Sequence, residues 1–367
     1  MALTLHGTVS DNTVALDRKS ATPIIINGDM AIAQRGNLTG VSSSDNYVTD
    51  NFFTTVSSLG TFSISQDTDT PTGQGFRKSL KLDCTTAGSV DGAGDYIAFQ
   101  KRIESQDLQL LKKGTSSAEY VTIAFWVKST VTGTATLEIE DENSRTISQT
   151  YTISSANTWE KKILSFIGDT SGALGNDNAK GITLIWWLGA GTTFTSGTLN
   201  TSWNAQNNAN RVSSSNINIA SSTDNNFYIT AVQLEVGSYD SNSIPNFHFE
   251  DVCTSLARCQ RYYFNLVEGN SFNFASGAYY NANLFAVHIP FPVTMRSAPS
   301  VDKDVGTSFF NILANNTADA CDDLSITRAT TTGCALDFSG NVSGTQGHGG
   351  VMATGNSGAK IAFESEL

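Results

Sequence analysis

Two glutamates on one predicted strand have the spacing that comes nearest to a catalytic pair. Glu138 and Glu140 alternate with Leu137 and Ile139. Their side chains therefore leave the strand on the same side, about 7 Å apart at ~3.4 Å of rise per residue. Two carboxylates at this separation suit an inverting glycosidase. The acidic turn at 141–142 favours the simpler interpretation, in which this is a solvated strand face.

The histidines supply no second catalytic arrangement. His6, His248, His288 and His348 are scattered along the chain, and none has a Ser, Cys or Asp partner at motif spacing. No nucleophile elbow, Walker, zinc-protease or dinucleotide-binding motif occurs in a supporting context. We therefore predict a protein that is not an enzyme and that needs no cofactor.

Aromatic residues among amides are candidates for sugar binding, because rings stack on the C–H faces of sugars while Asn and Gln bind hydroxyls. Trp186 and Trp187 are consecutive, so one of them must face outward from its strand. Trp203 lies in an Asn- and Gln-rich stretch, and Tyr279 and Tyr280 precede a predicted edge strand. For each of them, core or subunit packing is the alternative interpretation.

The glycine-rich stretch 343–358 is predicted to be a long loop and adds His348 to the candidate ligand-binding residues. It could form a receptor-contacting tip or a flexible hairpin. No Lys-Ser/Thr pair follows the glycines, so the stretch does not resemble a phosphate-binding loop.

Composition limits the classes of partner. The chain has 367 residues, enough for two or three domains. Its net charge of −12 argues against a nucleic-acid partner, since phosphate neutralisation requires clustered Lys and Arg. The strongest apolar run, 182–188, is shorter than a membrane-spanning helix requires, and the first residues do not resemble a signal peptide. We expect no membrane insertion.

The five cysteines are odd in number and form no CxxC pair, which argues against a zinc site. Free buried thiols are the expected state, although Cys321 and Cys334 could pair across a hairpin. No metal ligand set is predicted.

Short strands with period-two alternation fill most of the chain and predict an all-β fold. The stretch 121–128 is the clearest, with apolar residues on one face. In 227–236 the apolar parity switches near Thr230, which predicts a β-bulge. The long polar stretch 189–224 is expected to be functional or to contact a partner. A buried strand is predicted at 23–26, before a turn at Asn27-Gly28.

One convincing helix is predicted at 249–263, because its apolar residues follow the 3,4 spacing of a coiled-coil seam. The seam could pack on the chain's own sandwich or join subunits in an oligomer. The seam residues are Phe249, Val252, Leu256, Cys259 and Tyr263.

The predicted architecture is a jelly-roll β-sandwich, a short helix and a second, smaller β-sandwich. Its segments are an N-terminal arm at 1–40, the jelly roll at 41–238, a linker and helix at 239–263, and a C-terminal β-sandwich at 264–367. Within the last segment, Pro290 and Pro292 predict an edge strand, because each proline removes a hydrogen-bond donor.

Three ordered stretches resemble a family of phage tail-fibre and virion structural proteins. They are ATPIIINGDMAIAQRG at 21–36, YITAVQLEVGS at 228–238 and LARCQRYYFN at 256–265. In that family the first precedes a jelly roll similar to carbohydrate-binding modules, the second ends it, and the third leads into a C-terminal β-domain. Calcium in such jelly rolls is often held by a carboxylate in the last strand, where this chain has Thr230.

The resemblance implies a virion protein that assembles in the host cytoplasm as a homotrimer. The 1–40 arm would contact other virion proteins, the jelly roll would form the body, and the C-terminal sandwich would face outward. Weak sites would bind host cell-surface polysaccharide and gain strength through multivalency. The alternative is a capsid-decoration or baseplate protein that binds no receptor. A depolymerase with a site assembled between subunits is a third hypothesis.

Overall fold

The chain folds into two compact units, Met1–Glu250 and Asp251–Leu367. The computed structural model describes residues 18–43 and 45–367, and its sheets and helices belong to these ranges. The fold is all-β: a jelly-roll β-sandwich, then a short helix and a smaller β-sandwich. This confirms the predicted fold class. In the described chain, every helix is too short or too polar to span a lipid bilayer.

The first unit contains two antiparallel sheets. The six-stranded sheet has the order β1-β4-β5-β13-β7-β10, and the seven-stranded sheet has the order β12-β9-β8-β11-β6-β3-β2. The strands are β1 Leu38–Val41, β2 Asn46–Tyr47, β3 Phe52–Ser57, β4 Thr61–Asp67, β5 Ser79–Thr86, β6 Tyr96–Glu104, β7 Val121–Ser129, β8 Gly133–Asp141, β9 Arg145–Ile153, β10 Glu160–Phe166, β11 Lys180–Ala190, β12 Asn204–Ala205 and β13 Asn226–Val236.

The core of this unit lies between the two sheets because each strand buries every second side chain. Phe125 of β7 and Trp186 of β11 come from opposite sheets, and their ring centroids are 5.6 Å apart. Phe52 and Phe99 stack beside them at 5.3 Å. The outer face of the seven-stranded sheet is covered in part by the 189–224 stretch, whose Phe194 and Arg211 lie against Trp187.

The predicted β-bulge is present in β13. The register between β13 and β7 shifts between Thr230 and Gln233, and Ala231 has a φ of 56°. The bulge moves the inward-facing positions from Phe227 and Ile229 to Val232 and the alternate residues that follow. The switch in apolar parity is thereby explained.

The prediction of a strand at 23–26 is wrong. Residues 24 and 25 form a bend and a turn follows at 26–29, although Ile24, Ile25 and Met30 are buried in the core. The turn at Asn27-Gly28 is present, and Asn27 has a φ of 58°. This stretch is buried by packing on the sandwich and not by pairing in a sheet. The rest of the predicted arm, 1–17, lies outside the described residues.

The long polar stretch 189–224 folds over the outer face of the seven-stranded sheet. It contains a one-turn helix, α1 (Thr192–Thr195), and 3-10 turns at Asn208–Asn210 and Ile219–Ser221. A further 3-10 helix, Ser105–Leu111, lies between β6 and β7.

The second unit begins with helix α2, which spans Val252–Gln260 and is shorter than predicted. The side chain of Asp251 caps it by accepting hydrogen bonds from the backbone N–H groups of Cys253 and Thr254. The apolar seam is therefore not one helical stripe. Phe249 precedes the helix and Tyr263 follows it.

The seam residues also differ in exposure. Val252 is 67% exposed, whereas Cys259 and Tyr263 are fully buried within the chain. Leu256 is half-buried. Cys259 and Tyr263 thus pack within their own chain, and the oligomer interface and oligomeric state stay predictions.

Two antiparallel sheets follow the helix, with the orders β14-β23-β17 and β19-β18-β22-β15-β16-β21-β20. The strands are β14 Tyr263–Glu268, β15 Asn273–Asn281, β16 Leu284–Pro290, β17 Ser300–Asp304, β18 Phe310–Ala314, β19 Thr317–Cys321, β20 Asp323–Thr327, β21 Gly333–Ser339, β22 Gly349–Thr354 and β23 Lys360–Glu364. Their shared core includes Phe285, Phe310 and Phe363.

Two expectations for this unit are wrong. The strand that contains Pro290 is not at an edge, since β16 pairs with β15 and β21. Pro290 is its last residue and Pro292 lies beyond it, so the ladder loses little. The glycine-rich stretch 343–358 is not one loop, because β22 crosses it and pairs with β15 and β18.

Candidate functional site

The outer face of the six-stranded sheet carries a row of aromatic and basic side chains. Phe125 and Val127 of β7 are buried in the core, so the alternate residues Trp126 and Lys128 point away from it. Cross-strand pairing places Lys161 of β10 opposite Trp126. This face is therefore built by the alternation of β7 and by its two neighbouring strands.

A cleft of about 200 Å³ opens beside Trp126. Aromatic rings and amide side chains form most of its wall, which is the combination that sugar recognition requires. The lining residues are Gln74, Phe76, Trp126, Lys161, Ala231, Gln233, Asn246, Phe247 and Phe249.

Three phenylalanines form one side of this cleft. The ring centroids of Phe76, Phe247 and Phe249 are 5.0–5.1 Å apart in all three pairs. Phe249 nevertheless remains 48% exposed. The amide of Gln233 donates to the backbone oxygen of Pro245 at 3.0 Å, which holds this wall against β13.

The indole N–H of Trp126 distinguishes it from the other tryptophans. Trp159, Trp187 and Trp203 donate their N–H to protein oxygens at 2.8–2.9 Å, and the N–H of Trp186 is sealed in the core. Trp126 is half-buried, and within residues 18–43 and 45–367 its N–H has no acceptor. It thus offers a ring face and a free donor at an accessible cleft.

Two further aromatic residues, Trp159 and Tyr228, lie beside Trp126 on the same side of the sheet, next to Lys128. The ammonium of Lys128 lies 4.3 Å from the ring centroid of Tyr228 and 5.7 Å from that of Trp159. Asp69 links Lys128 and Trp159, because its carboxylate accepts a hydrogen bond from the ammonium of Lys128 and another, at 2.9 Å, from the indole N–H of Trp159. The pair is thereby held in a fixed geometry.

Two charged side chains on this face, Asp69 and Lys161, have shifted pKa values. Burial acts to raise the pKa of Asp69, but the hydrogen bonds from Lys128 and Trp159 outweigh it, so the pKa is lowered. Desolvation lowers the pKa of Lys161. Lys161 has no ion-pair partner in the described part of the chain, so its ammonium is available to a ligand at the cleft.

The six sequence-predicted ligand-binding residues do not form one site. Trp186 is fully buried between the sheets. Trp187 does point to the outer face of its sheet, as alternation requires, but only 2% of it is exposed. Phe194 and Arg211, from the 189–224 stretch, cover Trp187. The ring centroid of Phe194 lies 5.0 Å, and the guanidinium carbon of Arg211 5.2 Å, from the ring centroid of Trp187.

The prediction of a solvated face at Glu138 and Glu140 is also wrong. Glu138 is fully buried, accepting the indole N–H of Trp187 at 2.9 Å and the guanidinium of Arg211 at 2.9 and 3.0 Å. Arg211 also donates to Glu140 at 2.7 Å. Burial raises the pKa of Glu138 to about 6, although Arg211 and Trp187 act to lower it.

Trp203 has a packing role. Its N–H donates to the backbone oxygen of Ile167 at 2.8 Å, and the ammonium of Lys113 lies 4.9 Å from its ring. Lys113 is itself buried and paired with Asp141 and Asp169. The tryptophan among amides thus covers a buried ion-pair network.

The remaining candidates lie in the second unit. Tyr279 is buried and donates its hydroxyl to Asp319 at 2.9 Å, whereas Tyr280 is 66% exposed. The backbone N–H of Tyr279 donates to the backbone oxygen of His348, so these two residues are neighbours. The exposed imidazole of His348 lies 3.3 Å from the amide of Asn315.

No group of three His, Cys, Asp or Glu side chains that could hold a metal ion occurs among the residues that the structure describes. At the position where carbohydrate-binding jelly rolls would place a carboxylate, the Thr230 hydroxyl lies 2.8 Å from the backbone oxygen of Lys78 and 3.3 Å from that of Asp29. All five cysteines are free, as expected, and only Cys253 is exposed.

Sequence reasoning missed Trp126, although the signal was present. Its neighbours on the same strand face are Thr122, Ala124 and Lys128, so the period-two pattern already places this tryptophan on the polar side. The phenylalanines of the cleft gave no comparable signal, because Phe76 and the pair Phe247 and Phe249 come from two connecting segments far apart in the chain. The sequence pattern assigned Phe249 to the helix seam instead.

No known family profile and no curated protein matches the sequence. The resemblance of its motifs to phage virion proteins therefore stays a prediction. Among solved structures, the chain is similar to the enzymatically active domain of bacteriophage CBA120 tailspike protein 4, with 14% identity and a TM-score of 0.32. That match covers 58% of this chain and only 21% of the tailspike chain.

Two further similar structures come from Clostridium thermocellum. One is a family 11 carbohydrate-binding module in complex with a mixed-linked tetrasaccharide, with 10% identity, a TM-score of 0.28, and coverage of 56% of this chain and 98% of that chain. The other is xylanase 10B complexed with xylohexaose, with 11% identity, a TM-score of 0.27, and coverage of 60% and 29%. At these levels no site or substrate is transferred to this chain.

Proposed function

We propose that the first unit binds carbohydrate in the cleft beside Trp126. The free, accessible indole N–H of Trp126 carries this proposal, because an aromatic side chain without a partner at a polar cleft is suited to stack on a sugar and donate to its hydroxyl. Gln74, Gln233 and Asn246 place amides around the ring. Binding, and not catalysis, is the proposed activity.

The decisive variant is Trp126→Ala. We expect the wild-type chain to bind at least one polysaccharide on a glycan array, and the variant to lose at least tenfold in affinity, since a central aromatic contributes most of the energy at such sites. Trp203→Phe is the matched control, because that tryptophan packs on Ile167 away from the cleft. Isothermal titration with the polysaccharide that binds best measures both.

Two results would contradict the proposal. The first is a wild-type chain that binds no glycan on the array. The second is Trp126→Ala binding as well as the wild type while thermal unfolding shows both to be folded.

We further propose that this binding serves attachment of a phage particle to host polysaccharide, with the chain a homotrimeric, fibre-like part of the virion. The ordered motifs at 21–36, 228–238 and 256–265 support this proposal. Weak sugar sites on three copies would gain strength through multivalency. The attachment role of the arm depends on 1–40, of which 1–17 lie outside the described residues.

Mass spectrometry of purified particles tests the virion role, and analytical ultracentrifugation of the full chain tests the trimer. We expect the chain to be present in mature particles. We also expect sedimentation to give a molar mass three times that of one chain. Its absence from particles, or a strictly monomeric chain, would contradict the proposal.

A further inference from the structure

The second unit contains a separate pocket of about 350 Å³ on the outer face of its seven-stranded sheet. It lies at the turn that joins β20 to β21, with His288 of β16 alongside. This volume is within the range of small-ligand sites. The lining residues are His288, Arg328, Thr330, Thr332, Gly333, Cys334 and Ala335.

The wall of this pocket is basic although the whole chain is acidic. Arg328 and His288 line it, and no carboxylate does. Arg328 is exposed and makes no ion pair with any residue that the structure describes. The nearest acid along the same strand face, Asp337, accepts a hydrogen bond from the hydroxyl of Thr327 at 3.0 Å. The guanidinium donors are therefore available to a ligand.

Two backbone positions, Arg328 and Gly333, shape the turn beside the pocket. Arg328 has a φ of 49°, in the left-handed region that glycine and asparagine favour, so an arginine there is held at a cost. Gly333 leaves the pocket open, because a Cβ at that position would lie 2.8 Å from the backbone oxygen of Ile289 and 3.1 Å from the imidazole of His288.

Hydroxyl groups complete the polar wall. Thr330 donates to the backbone oxygen of Gly333 at 3.0 Å, and its hydroxyl lies 3.3 Å from that of Thr332. The exposed Thr332 hydroxyl keeps capacity for a further hydrogen bond. Such a wall can bind sugar hydroxyls while a guanidinium fork binds a carboxylate.

We propose that this pocket is a second ligand site, separate from the cleft beside Trp126, and that it takes a sugar carrying a carboxylate. Arg328 binds the carboxylate, His288 forms the facing side, and Thr332 contacts a ring hydroxyl. The site neither requires nor follows from sugar binding at Trp126.

Glucuronate and glucose are the probes, because they differ only at C6, where glucuronate has a carboxylate and glucose a hydroxymethyl group. With the full chain in low salt, we expect saturable binding of glucuronate and not of glucose in saturation-transfer NMR. Arg328→Met should weaken glucuronate binding at least tenfold. Arg77→Met, which removes an exposed arginine from the first unit, should leave it unchanged.

Three results would overturn the proposal: no binding of glucuronate, binding of glucose equal to that of glucuronate, or unchanged binding of glucuronate to Arg328→Met. Loss of glucuronate binding in Trp126→Ala with retention in Arg328→Met would move the ligand to the first unit. Thr332→Val, which keeps side-chain volume and charge, should reduce binding less than Arg328→Met and serves if the arginine variant fails to fold.

Discussion

Among single residues, exposure and the partner of the indole N–H together distinguish Trp126 from the other four tryptophans. Trp187 and Trp203 look like binding residues in the sequence, yet their N–H groups donate to Glu138 and to Ile167. Trp126 lacks such a partner in the described chain. A buried polar group without an acceptor is costly, and the N–H of Trp186 in the core is such a group. Trp126 differs from Trp186 because it lines the cleft, where its donor is open to a ligand.

Glu138 provides a prediction about pH. Burial raises its pKa to about 6 from an ordinary 4.5. The folded chain therefore holds the proton more tightly than the unfolded chain, and this contribution to stability is full below about pH 4.5 and is lost as the pH rises through about 6. At about 1.4 kcal/mol per pKa unit, the whole effect is about 2 kcal/mol.

Urea unfolding of the wild type and of Glu138→Gln at several pH values measures this contribution. The free-energy difference between them should shift by about 1 kcal/mol in favour of the wild type between about pH 7.5 and about pH 5. Glu268→Gln, at an exposed glutamate, controls for the loss of one charge. A difference that stays constant with pH would show that Glu138 remains ionised.

Among the structural elements, the N-terminal stretch and the last strand of the first sandwich explain one another. The carboxamide of Asn27 donates to the backbone oxygens of Ile32 and Asp50 and accepts from the N–H of Ile32, all at 2.8–2.9 Å. Gly28 follows and accepts from the backbone N–H of Val232 at 2.8 Å. The bulge in β13 is the surface on which this turn docks.

Gly28→Ala should therefore destabilise the fold. An added Cβ would lie 2.1 Å from the backbone oxygen of Val232, which cannot move without disturbing β13. We expect a loss of about 1–3 kcal/mol in the free energy of unfolding. Gly94→Ala is the matched control, since a Cβ there meets nothing within 4 Å. Equal stability of the two variants in chemical denaturation would contradict the close contact.

Across the molecule as a whole, each unit has its own sheets and its own hydrophobic core. In the second unit, Phe285, Phe310 and Phe338 are fully buried. Its 251–367 stretch is long enough to form an independent domain. The two proposed ligand sites lie in different units, so each can be tested without the other.

A fragment of residues 251–367 should fold by itself. We expect β-rich circular dichroism, a cooperative thermal transition and retention of glucuronate binding, because the core and the pocket are contained in this stretch. The fragment 1–250 provides the comparison and should keep binding at Trp126. A fragment 251–367 that is unfolded in dilute solution would show that its core needs the rest of the chain.

Local sequence patterns were sufficient to predict the fold class, the β-bulge and the existence of one helix. Period-two alternation of apolar residues depends only on near neighbours in the chain, so it specifies which face of β7 or β13 enters a core. The parity switch near Thr230 located the bulge for the same reason. Proline and glycine signals were less reliable, since β16 and β22 tolerate them in the interior of a sheet.

Which polar and aromatic residues stay accessible depends instead on tertiary packing. Trp187 and Glu138 point outward from their sheet, as the alternation required, but the 189–224 stretch folds over them and buries both. Trp126 points outward in the same sense and is left uncovered beside a cleft. Burial of an outward face depends on where a loop packs, and contacts such as that between Arg211 and Glu138 join residues far apart in the sequence. No local pattern records such contacts.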